Sequence, residues 1–472
     1  MLSAEHRAAL TALVGEQGVL TGAATEGYAT PARYAAGRAA AVVRPASSAE
    51  VSAVVGYCVR QGLAFVPQSG NTGLVGNATP DDSGAQLVLS LERLRAPLEV
   101  DVANRSVRVG AGVRLSALND ALQPHGLFLP IDLGADPMMG GMISTNTAGA
   151  RFLRYGDMRR HVLGLKVALA DRDGTELDLM SALRKNNTGV DLKQLFIGTG
   201  GAFGVVTEAV LDVQPRPTDR AVAMVVPADV REAPLALLRL LEHGAGEVLS
   251  AFEGISQNAF RAALAQAQSL RNPFGAELPE YVVLIELSAS TGADTQAMER
   301  LLTDLLERAA NDELIVDAVI GRGEQLWTLR HSISTGLKAM GHLLGFDLAF
   351  ERGAILPFRS AMIAELATRF PGYQVCDFGH LGDGGVHFSL LRPHALGDAQ
   401  DAAVYDYVFD AAIQHHGASF SGEHGIGRAN QSIYDRHTPA LRQSIAGALT
   451  QLFSAAVPGA VRFGPKPEGI LT

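Results

Sequence analysis

A strand, a helix and a second strand lead directly into a glycine-rich stretch, and this order constrains the fold more than any other feature. Residues 41–45, AVVRP, predict a short strand that ends at a proline. The next residues, SSAEVSAVVGYCVRQG, predict a helix, because they begin with a serine cap, carry Glu50 early and end at Gly62. LAFVPQ predicts the next strand, and PQSGNTGLVGN, residues 67–77, comes directly after it. The first part of the chain is therefore predicted to mix helices and strands.

The stretch at 67–77 has the composition of an anion site. Its glycines allow positive φ angles, so that backbone N–H groups can converge on a negative charge. Ser69, Asn71 and Thr72 add side-chain donors, and together these groups suit a diphosphate. The stretch contains neither GxGxxG at a helix start nor GxxxxGK[ST]. A glycine-rich surface loop is the open alternative.

Two further stretches favour a binding role. Residues 134–152, GADPMMGGMISTNTAGARF, again combine glycines with small polar side chains. Residues 198–208, GTGGAFGVVTE, form a third stretch. Several long stretches of small and polar residues within one domain of regular strands and helices are not expected to be surface loops alone. The GxG of the third stretch is weak evidence for a dinucleotide fold, because no strand-to-helix context with an acid about 20 residues later accompanies it.

Composition excludes several classes of protein. The chain has 472 residues, 47 % hydrophobic and 19 % charged, which is typical of a globular protein of roughly two or three domains. A net charge of −10 argues against nucleic acid as a partner. Cys58 and Cys376 form neither a disulfide framework nor a metal motif, and a buried thiol is expected for Cys58.

The N-terminus reads as an amphipathic helix and not as a signal peptide. No apolar run reaches the roughly 20 residues that span a bilayer. We therefore expect a soluble, cytoplasmic protein.

The pattern changes near residue 216. Upstream, GLKVALADRDGTELDL predicts a hairpin with Asp-Gly at 173–174 in its turn. Downstream, strands such as VAMVVPA and EYVVLIELSAS alternate with long helices, which predicts an antiparallel sheet backed by helices. The predicted divisions are an N-terminal helical segment, a glycine-rich anion-binding domain, a second domain and a C-terminal segment, at 1–37, 38–216, 217–418 and 419–472.

FGHLGDGGVHFSL, residues 378–390, places two histidines around glycines and an aspartate. Asp-Gly between strand residues is typical of a two-residue hairpin turn, which is predicted at 383–384. His380 would then face His387 directly, with Cβ atoms about 4.5–5.5 Å apart. Such a pair can chelate a divalent ion. A pair of surface or core histidines is the open alternative.

SFSGEHGIGR, residues 419–428, strengthens the metal hypothesis. Glu423 offers a carboxylate and His424 a neighbouring imidazole between glycines. A His-His-Glu set is a familiar group of divalent-metal ligands that leaves positions open for substrate. Strand alternation would place Phe378 and Ser389 on the same face as the two hairpin histidines.

The motifs together, with RYG at 154–156, occur in an order that resembles the FAD-linked D-2-hydroxyacid dehydrogenases, flavoproteins of the vanillyl-alcohol-oxidase type. The resemblance runs from about residue 38 to the C-terminus. It implies an α+β fold, with an FAD-binding domain of two α+β lobes and a substrate domain with a large antiparallel sheet and flanking helices. It also implies that the C-terminal segment returns to the FAD domain.

The resemblance implies an FAD site in the glycine-rich stretches. In many relatives a histidine at the position of Asn71 bonds covalently to the flavin, so noncovalent FAD is expected here. The implied FAD-binding residues are Pro67, Ser69, Gly70, Asn71, Thr72, Gly73, Leu74, Gly134, Pro137, Gly140, Gly141, Ser144, Thr145, Gly149 and Val206.

The resemblance also implies the catalytic groups. His380, His387 and Glu423 match the ligands of a zinc or manganese ion, and His424 matches the general base. In this family a D-2-hydroxy acid such as D-2-hydroxyglutarate or D-lactate loses its hydroxyl proton to the base and a hydride to flavin N5, giving the 2-oxo acid.

The substrate-binding residues implied by the resemblance are Arg330 and Ser334 of WTLRHSIST, together with Ser389. The chain departs from members that act on 2-hydroxyglutarate: Gly345 replaces a lysine and Ser389 an asparagine, although Lys338 could substitute. Met142 and FGPKP at 463–467 also differ from the family pattern. The side chain of the substrate therefore stays open.

Other readings stay open as well. One is a flavoenzyme of the same fold with a substrate other than a hydroxy acid, and another is a glycolate-oxidase-like flavin subunit of a complex. The electron acceptor is also open, with an electron-transfer flavoprotein, a quinone, oxygen or an artificial dye as candidates. A homodimer is expected from the family alone.

Overall fold

The computed structural model describes residues 2–267, 269–292, 294–321, 323–394, 396–454 and 461–465. The last residues of FGPKP lie outside this range. The chain divides into two compact units. The first unit comprises Met1–Ala148, Asp157–Pro215 and Glu423–Thr472, and the second comprises Gly149–Gly156 and Arg216–Gly422.

The strands are, in chain order, β1 (Val19–Leu20), β2 (Ala41–Val43), β3 (Phe65–Gln68), β4 (Leu87–Ser90), β5 (Leu98–Asp101), β6 (Ser106–Gly110), β7 (Leu127–Phe128), β8 (Val162–Ala168), β9 (Glu176–Leu179), β10 (Val205–Asp212), β11 (Gln214–Pro215), β12 (Asp219–Pro227), β13 (Leu249–Ser256), β14 (Tyr281–Ala289), β15 (Ile315–Gly321), β16 (His342–Ala349), β17 (Gln374–Val375), β18 (Phe378–Gly379) and β19 (Gly385–Arg392).

The α-helices are α1 (Ala4–Val14), α2 (Glu26–Ala29), α3 (Ser48–Gln61), α4 (Leu115–Leu122), α5 (Met139–Thr145), α6 (Phe152–Tyr155), α7 (Met158–His161), α8 (Ala233–Ala245), α9 (Gln257–Gln266), α10 (Ala297–Asn311), α11 (Gly323–Met340), α12 (Ile355–Arg369), α13 (Asp401–Asp410), α14 (Gln431–His437) and α15 (Ala440–Phe453). Among these described helices, none is both long and apolar enough to cross a bilayer.

The first sheet of the first unit has the order β1-β2-β4-β3, with β2, β4 and β3 parallel. The predicted strand, helix and strand are confirmed. Helix α3 begins at Ser47, whose side chain accepts from the Glu50 N–H, and ends at Gly62 in the left-handed conformation. Cys58 is buried on this helix as predicted, and burial raises the pKa of its thiol to about 12.

The second sheet of the first unit is antiparallel, in the order β5-β6-β10-β8-β9. The predicted hairpin is confirmed, since β8 pairs with β9. Gly174 in its connection has φ +64°, and a Cβ there would lie 1.9 Å from the Ser52 carbonyl oxygen on α3. Only glycine allows this approach.

The C-terminal segment packs within the first unit. Phe453 at the end of α15 lies 5.1 Å from Phe196 and 5.9 Å from Phe203, measured between ring centroids. The Ala429 N–H donates to the Val75 carbonyl oxygen at 3.1 Å. Arg428 bonds to the carbonyl oxygen of Thr79. The bonds to Val75 and Thr79 attach the segment to the first glycine-rich stretch and to the residues directly after it.

The second unit contains an eight-stranded antiparallel sheet. Its order is β15-β12-β14-β13-β18-β19-β16, with β17 also paired to β19. Helices α9 and α11 supply buried side chains to a core shared with β12, β13 and β14. This is the antiparallel sheet with flanking helices that the sequence predicts.

Helices α9 and α11 approach closely at Gly336. A Cβ on this residue would lie 2.1 Å from the backbone oxygen of Ala262, and backbone cannot move aside as a flexible side chain can. Ile333 and Leu337, both fully buried, flank the contact on α11. The absence of a side chain at Gly336 therefore sets the distance between the two helices.

We predict that Gly336→Ala lowers the stability of the second unit by about 1–3 kcal/mol, because overpacking outweighs the gain in helix propensity. The melting temperature of the purified protein, followed by circular dichroism, measures the change. Gly27→Ala is the control, since a Cβ at Gly27 in α2 would meet no described atom within 4 Å. Equal melting temperatures for the two variants would contradict the close packing of α9 on α11.

Candidate functional site

The first two glycine-rich stretches meet in the first unit. A Cβ at Gly70 would lie 3.1 Å from the Met138 backbone nitrogen. A Cβ at Gly140 would lie 2.7 Å from the Cβ of Ala111 and 3.1 Å from the Oγ of Ser69. Side chains are thus excluded where the two loops touch, and we call this close contact of residues 67–77 and 134–152 the glycine cradle.

The third glycine-rich stretch joins the same region. Asn77 donates to the Gly200 carbonyl oxygen at 3.4 Å, and Gly200 has φ +62°. A Cβ at Gly201 would lie 3.4 Å from the side chain of Pro67. The second and third stretches therefore both contact the first stretch, which follows β3; sequence analysis did not name Asn77.

A polar network holds the second stretch at the end of α5. Asn146 has φ +52°, its Nδ2 donates to Asp157 at 2.6 Å, and its Oδ1 accepts from the Arg159 N–H at 2.8 Å. Thr145 donates to the Gly141 carbonyl oxygen at 2.9 Å. Sequence analysis missed Asp157 and Arg159. Their position just after the RYG motif is the feature of the sequence that could have indicated them.

The other predicted FAD residues lie in different settings. Asn71 has φ +52° and its side chain donates to the Thr30 carbonyl oxygen at 2.9 Å. Val206 lies in β10 with its side chain in the hydrophobic core. A Cβ at Gly134 would meet no described atom within 4 Å. Gly149 belongs to the second unit.

The predicted two-residue turn between the histidines is wrong. Phe378, and not His380, lies opposite His387 in the register of β18 and β19. The Gly385 N–H donates to the His380 carbonyl oxygen at 3.0 Å, so residues 381–384 form the connection. His380 is therefore diagonal to His387.

Tertiary contacts explain this longer connection. Leu381 is buried, and the Gly382 N–H donates to the Phe252 carbonyl oxygen at 2.9 Å on the neighbouring strand β13. These contacts outweigh the local preference of Asp-Gly for a two-residue turn. The rings of His380 and His387 still lie near one another, with centroids 5.1 Å apart.

A carboxylate that sequence analysis did not assign lies beside His387. Asp347 on β16 is the direct cross-strand partner of His387, with Oδ1 3.8 Å from Nδ1, and each residue offers a metal-ligand atom. Gly345 is in the same way the partner of Ser389. The signal in the sequence is that Asp347 lies two residues before the end of β16 and His387 two residues after the start of β19. This match can be recognised only once the two strands are known to pair.

Glu423 and His424 open the C-terminal segment of the first unit. His424 Nε2 lies 3.7 Å from Glu423 Oε1. The preceding residue, Gly422, donates its N–H to the Asp347 carbonyl oxygen at 3.1 Å within the second unit. Glu423 therefore directly follows a residue that bonds to β16, the strand that carries Asp347.

Arg330 on α11 is held by a buried carboxylate. Its Nε donates to Glu253 Oε2 at 2.6 Å, and its guanidinium lies over the ring of Phe378 at 4.9 Å. The other oxygen of Glu253 lies 2.8 Å from His380 Nδ1. Burial alone would raise the pKa of the Glu253 carboxyl, but His380 and Arg330 outweigh it and lower this pKa to about 2. Ser334, one turn after Arg330, is exposed.

Two family models match the chain. The FAD binding domain model matches residues 39–179, and the model of the C-terminal domain of FAD linked oxidases matches residues 216–446. The chain is 35 % identical over 399 residues to D-2-hydroxyglutarate dehydrogenase of Xanthomonas citri pv. viticola, covering 83 % of this chain and 82 % of the relative. It is 33 % identical over 406 residues to the mitochondrial D-2-hydroxyglutarate dehydrogenase of Rattus norvegicus, covering 84 % and 73 %.

Solved structures support the fold. An alkyldihydroxyacetonephosphate synthase superposes with a TM-score of 0.73 at 13 % identity, over 96 % of this chain and 83 % of the other. p-Cresol methylhydroxylase superposes with a TM-score of 0.71 at 14 % identity, over 94 % and 93 %. The glycine cradle with its excluded side chains fits the FAD that the family model implies. The chain therefore belongs to the FAD-linked D-2-hydroxyacid dehydrogenases.

Proposed function

We propose that this protein oxidises a D-2-hydroxy acid to the 2-oxo acid with noncovalent FAD and a divalent metal ion, D-2-hydroxyglutarate being the first candidate substrate. The relatives named D-2-hydroxyglutarate dehydrogenase support the substrate class. FAD supplies the acceptor of the Cα hydride at flavin N5. The expected cytoplasmic location and homodimer stay predictions.

The observation that carries the proposal is that Arg330 is buried and, among the described residues, bonded through Nε only. Its side chain is only 10 % exposed, and Glu253 engages its Nε. Within the described parts of the chain, its terminal nitrogens make no hydrogen bond. A buried guanidinium with an open edge suits the carboxylate of a 2-hydroxy acid, because the fork accepts two carboxylate oxygens.

The proposed metal ligands are His380, His387 and Glu423, with Zn²⁺ or Mn²⁺ as the ion. Support comes from the two imidazoles 5.1 Å apart and from Asp347, whose carboxylate lies 3.8 Å from His387. Nitrogen and oxygen donors of this kind are the ligands that both ions accept. A cation bound there would act as a Lewis acid that lowers the pKa of the substrate hydroxyl.

His424 is the proposed general base. It would accept the hydroxyl proton, and bound FAD would take the Cα hydride with its two electrons, so that atoms and electrons balance. Its neighbour Glu423, 3.7 Å away, would stabilise the imidazolium that forms.

A monocarboxylate such as D-lactate is the second candidate substrate. Gly345 and Ser389 face one another across β16 and β19, directly beside the pair Asp347 and His387. In the relatives that the motifs resemble, a lysine at the position of Gly345 helps bind the second carboxylate, and an asparagine stands at the position of Ser389. Two small residues at one cross-strand pair favour a different side chain, although exposed Lys338 on α11 stays a candidate cation.

We predict that a D-2-hydroxy acid bleaches the visible band of the bound flavin under anaerobic conditions and that its L-enantiomer does not. Chelation should abolish the bleaching, and added Zn²⁺ or Mn²⁺ should restore it. The rates with D-2-hydroxyglutarate and D-lactate rank the two substrates. Bleaching that survives complete chelation would remove the metal from the mechanism, and no bleaching by any acid with metal present would refute the proposed function.

We predict that Arg330→Lys lowers kcat/KM for the best acid by about 10- to 100-fold, because the planar fork and its charged hydrogen bonds are lost. Steady-state kinetics with a dye acceptor measures the effect. Arg359→Lys is the matched control: Arg359 donates through Nε to Asp377 at 2.8 Å and lies over Tyr281 at 4.8 Å. An equal loss in both variants would assign the effect of Arg330 to stability alone.

We predict that Gly140→Ala raises the Kd for FAD by roughly 10- to 100-fold, since the new methyl group must displace Ser69 or Ala111 at a cost of about 1–3 kcal/mol. Flavin content after dialysis and fluorescence titration of the apoprotein measure it. Gly27→Ala is the control and should bind FAD as the wild type does, because a Cβ at Gly27 meets no described atom within 4 Å and this residue is not among the implied FAD-binding residues. FAD that stays attached after denaturation would contradict the noncovalent assignment.

A further inference from the structure

We propose that Glu253 is a positioning residue that holds the carboxylate-binding arginine and a metal-binding histidine in a fixed relation to each other. This inference rests on the roles proposed above for Arg330 and His380. Glu253 itself is buried on β13 and is expected to touch neither substrate nor flavin.

The geometry divides the two oxygens of Glu253 between two partners. Oε2 accepts from Arg330 Nε at 2.6 Å, and Oε1 lies 2.8 Å from His380 Nδ1. The contact lies outside hydrogen-bond angles, but an ionised carboxylate can only accept, so at this distance it attracts a hydrogen on Nδ1 of His380 and repels a lone pair there. The lone pair of the neutral ring is then on Nε2, which is the atom a metal ion would use.

The same carboxylate orients the guanidinium. Because Nε is engaged by Glu253 and the plane stacks on Phe378 at 4.9 Å, the rotation of the Arg330 head group is limited. Phe378 in turn pairs across the strands with His387. Glu253 and Phe378 thus constrain three side chains that come from α11, from the connection after β18 and from β19.

Stability alone does not account for this arrangement. Removing a carboxylate from water costs several kcal/mol, and a buried ion pair adds little net stability compared with apolar side chains of the same volume. What the buried carboxylate does supply is direction, since each oxygen selects one donor and one orientation of its partner.

The neighbouring strand provides a matched comparison. Glu286 on β14 is as buried as Glu253 and accepts from Arg151 at 2.8 Å, Ser250 at 2.7 Å and Trp327 at 2.8 Å. Trp327 lies on α11 as Arg330 does. Both carboxylates therefore anchor the same helix, and Glu253 is the one whose partners include proposed site residues.

The test compares Glu253→Gln with Glu286→Gln in the full-length, FAD-loaded protein. A glutamine has one acceptor oxygen, so Arg330 and His380 must compete for it, and the remaining donor faces an NH₂ group. Competition with a chromogenic chelator gives the Kd for Zn²⁺, and steady-state kinetics at saturating Zn²⁺ separates KM from kcat for D-2-hydroxyglutarate and D-lactate.

For Glu253→Gln we expect a Kd for Zn²⁺ about 10- to 100-fold higher and a raised KM. Glu286→Gln should lower the melting temperature and leave both constants unchanged. Wild-type values in Glu253→Gln, or an equal rise in Kd for both variants, would overturn the inference. If Glu253→Gln does not fold, Glu253→Asp, which keeps the charge and shortens the reach, is held to the same criteria.

A second readout is independent of metal and of activity. Long-range ¹⁵N–¹H correlation of the histidine rings in the metal-free wild type should show His380 with its hydrogen on Nδ1, and Glu253→Gln should lose that preference. An Nε2–H tautomer in the wild type would overturn the inference. A wild type that neither binds Zn²⁺ nor is reduced by any acid refutes the proposed function, whereas normal wild-type behaviour with an unaffected Glu253→Gln refutes only the role of Glu253.

Discussion

The antiparallel pairing of β19 with β16 and β18 is the interaction on which the chemistry of the second unit depends. It sets Asp347 opposite His387, Gly345 opposite Ser389, and Phe378 opposite His387. Because side chains alternate between faces, a shift of one residue in this register would turn every one of these groups to the other face. The backbone ladder therefore decides which donors can meet, before any individual contact is made.

Buried charge fixes the helix that faces this sheet. Glu253 and Glu286 lie on adjacent strands and hold Arg330 and Trp327 of α11. Each carboxylate has lost its hydration, and burial alone would raise its pKa, yet the charged and hydrogen-bonding partners keep the pKa below its usual range. Ionised carboxylates in the core are strongly directional, which is why one of them can serve positioning as well as folding.

The first unit uses the opposite device, the absence of side chains. Gly70, Gly140 and Gly200 each lie where an added Cβ would come within 3.1 Å of another glycine-rich stretch. Three loops that are distant in sequence can then present main-chain N–H groups to one anion. Asn77 adds a polar contact between the first and third loops, and Asn146 binds the second loop to Asp157.

Local patterns in the sequence were sufficient for several conclusions. The cap and terminal glycine of α3, the β8–β9 hairpin and the mixed fold class follow from propensity and periodicity, which act over a few residues. The ordered glycine and histidine motifs were enough to identify the family. The sequence also showed both departures at Gly345 and Ser389, but not that the two residues face each other.

Only the tertiary structure decided which distant segments contact each other. The turn at 383–384 was predicted from its own residues, yet a hydrogen bond from Gly382 to Phe252 on another strand selected the longer connection. Sequence analysis assigned no role to Asp347 or Glu253, because their significance comes from partners 40 and 127 residues away, His387 and His380. The sequence by itself thus determined the elements, the fold class and the kind of chemistry. Which side chains meet was decided by long-range pairing and burial, whose free energy no local pattern contains.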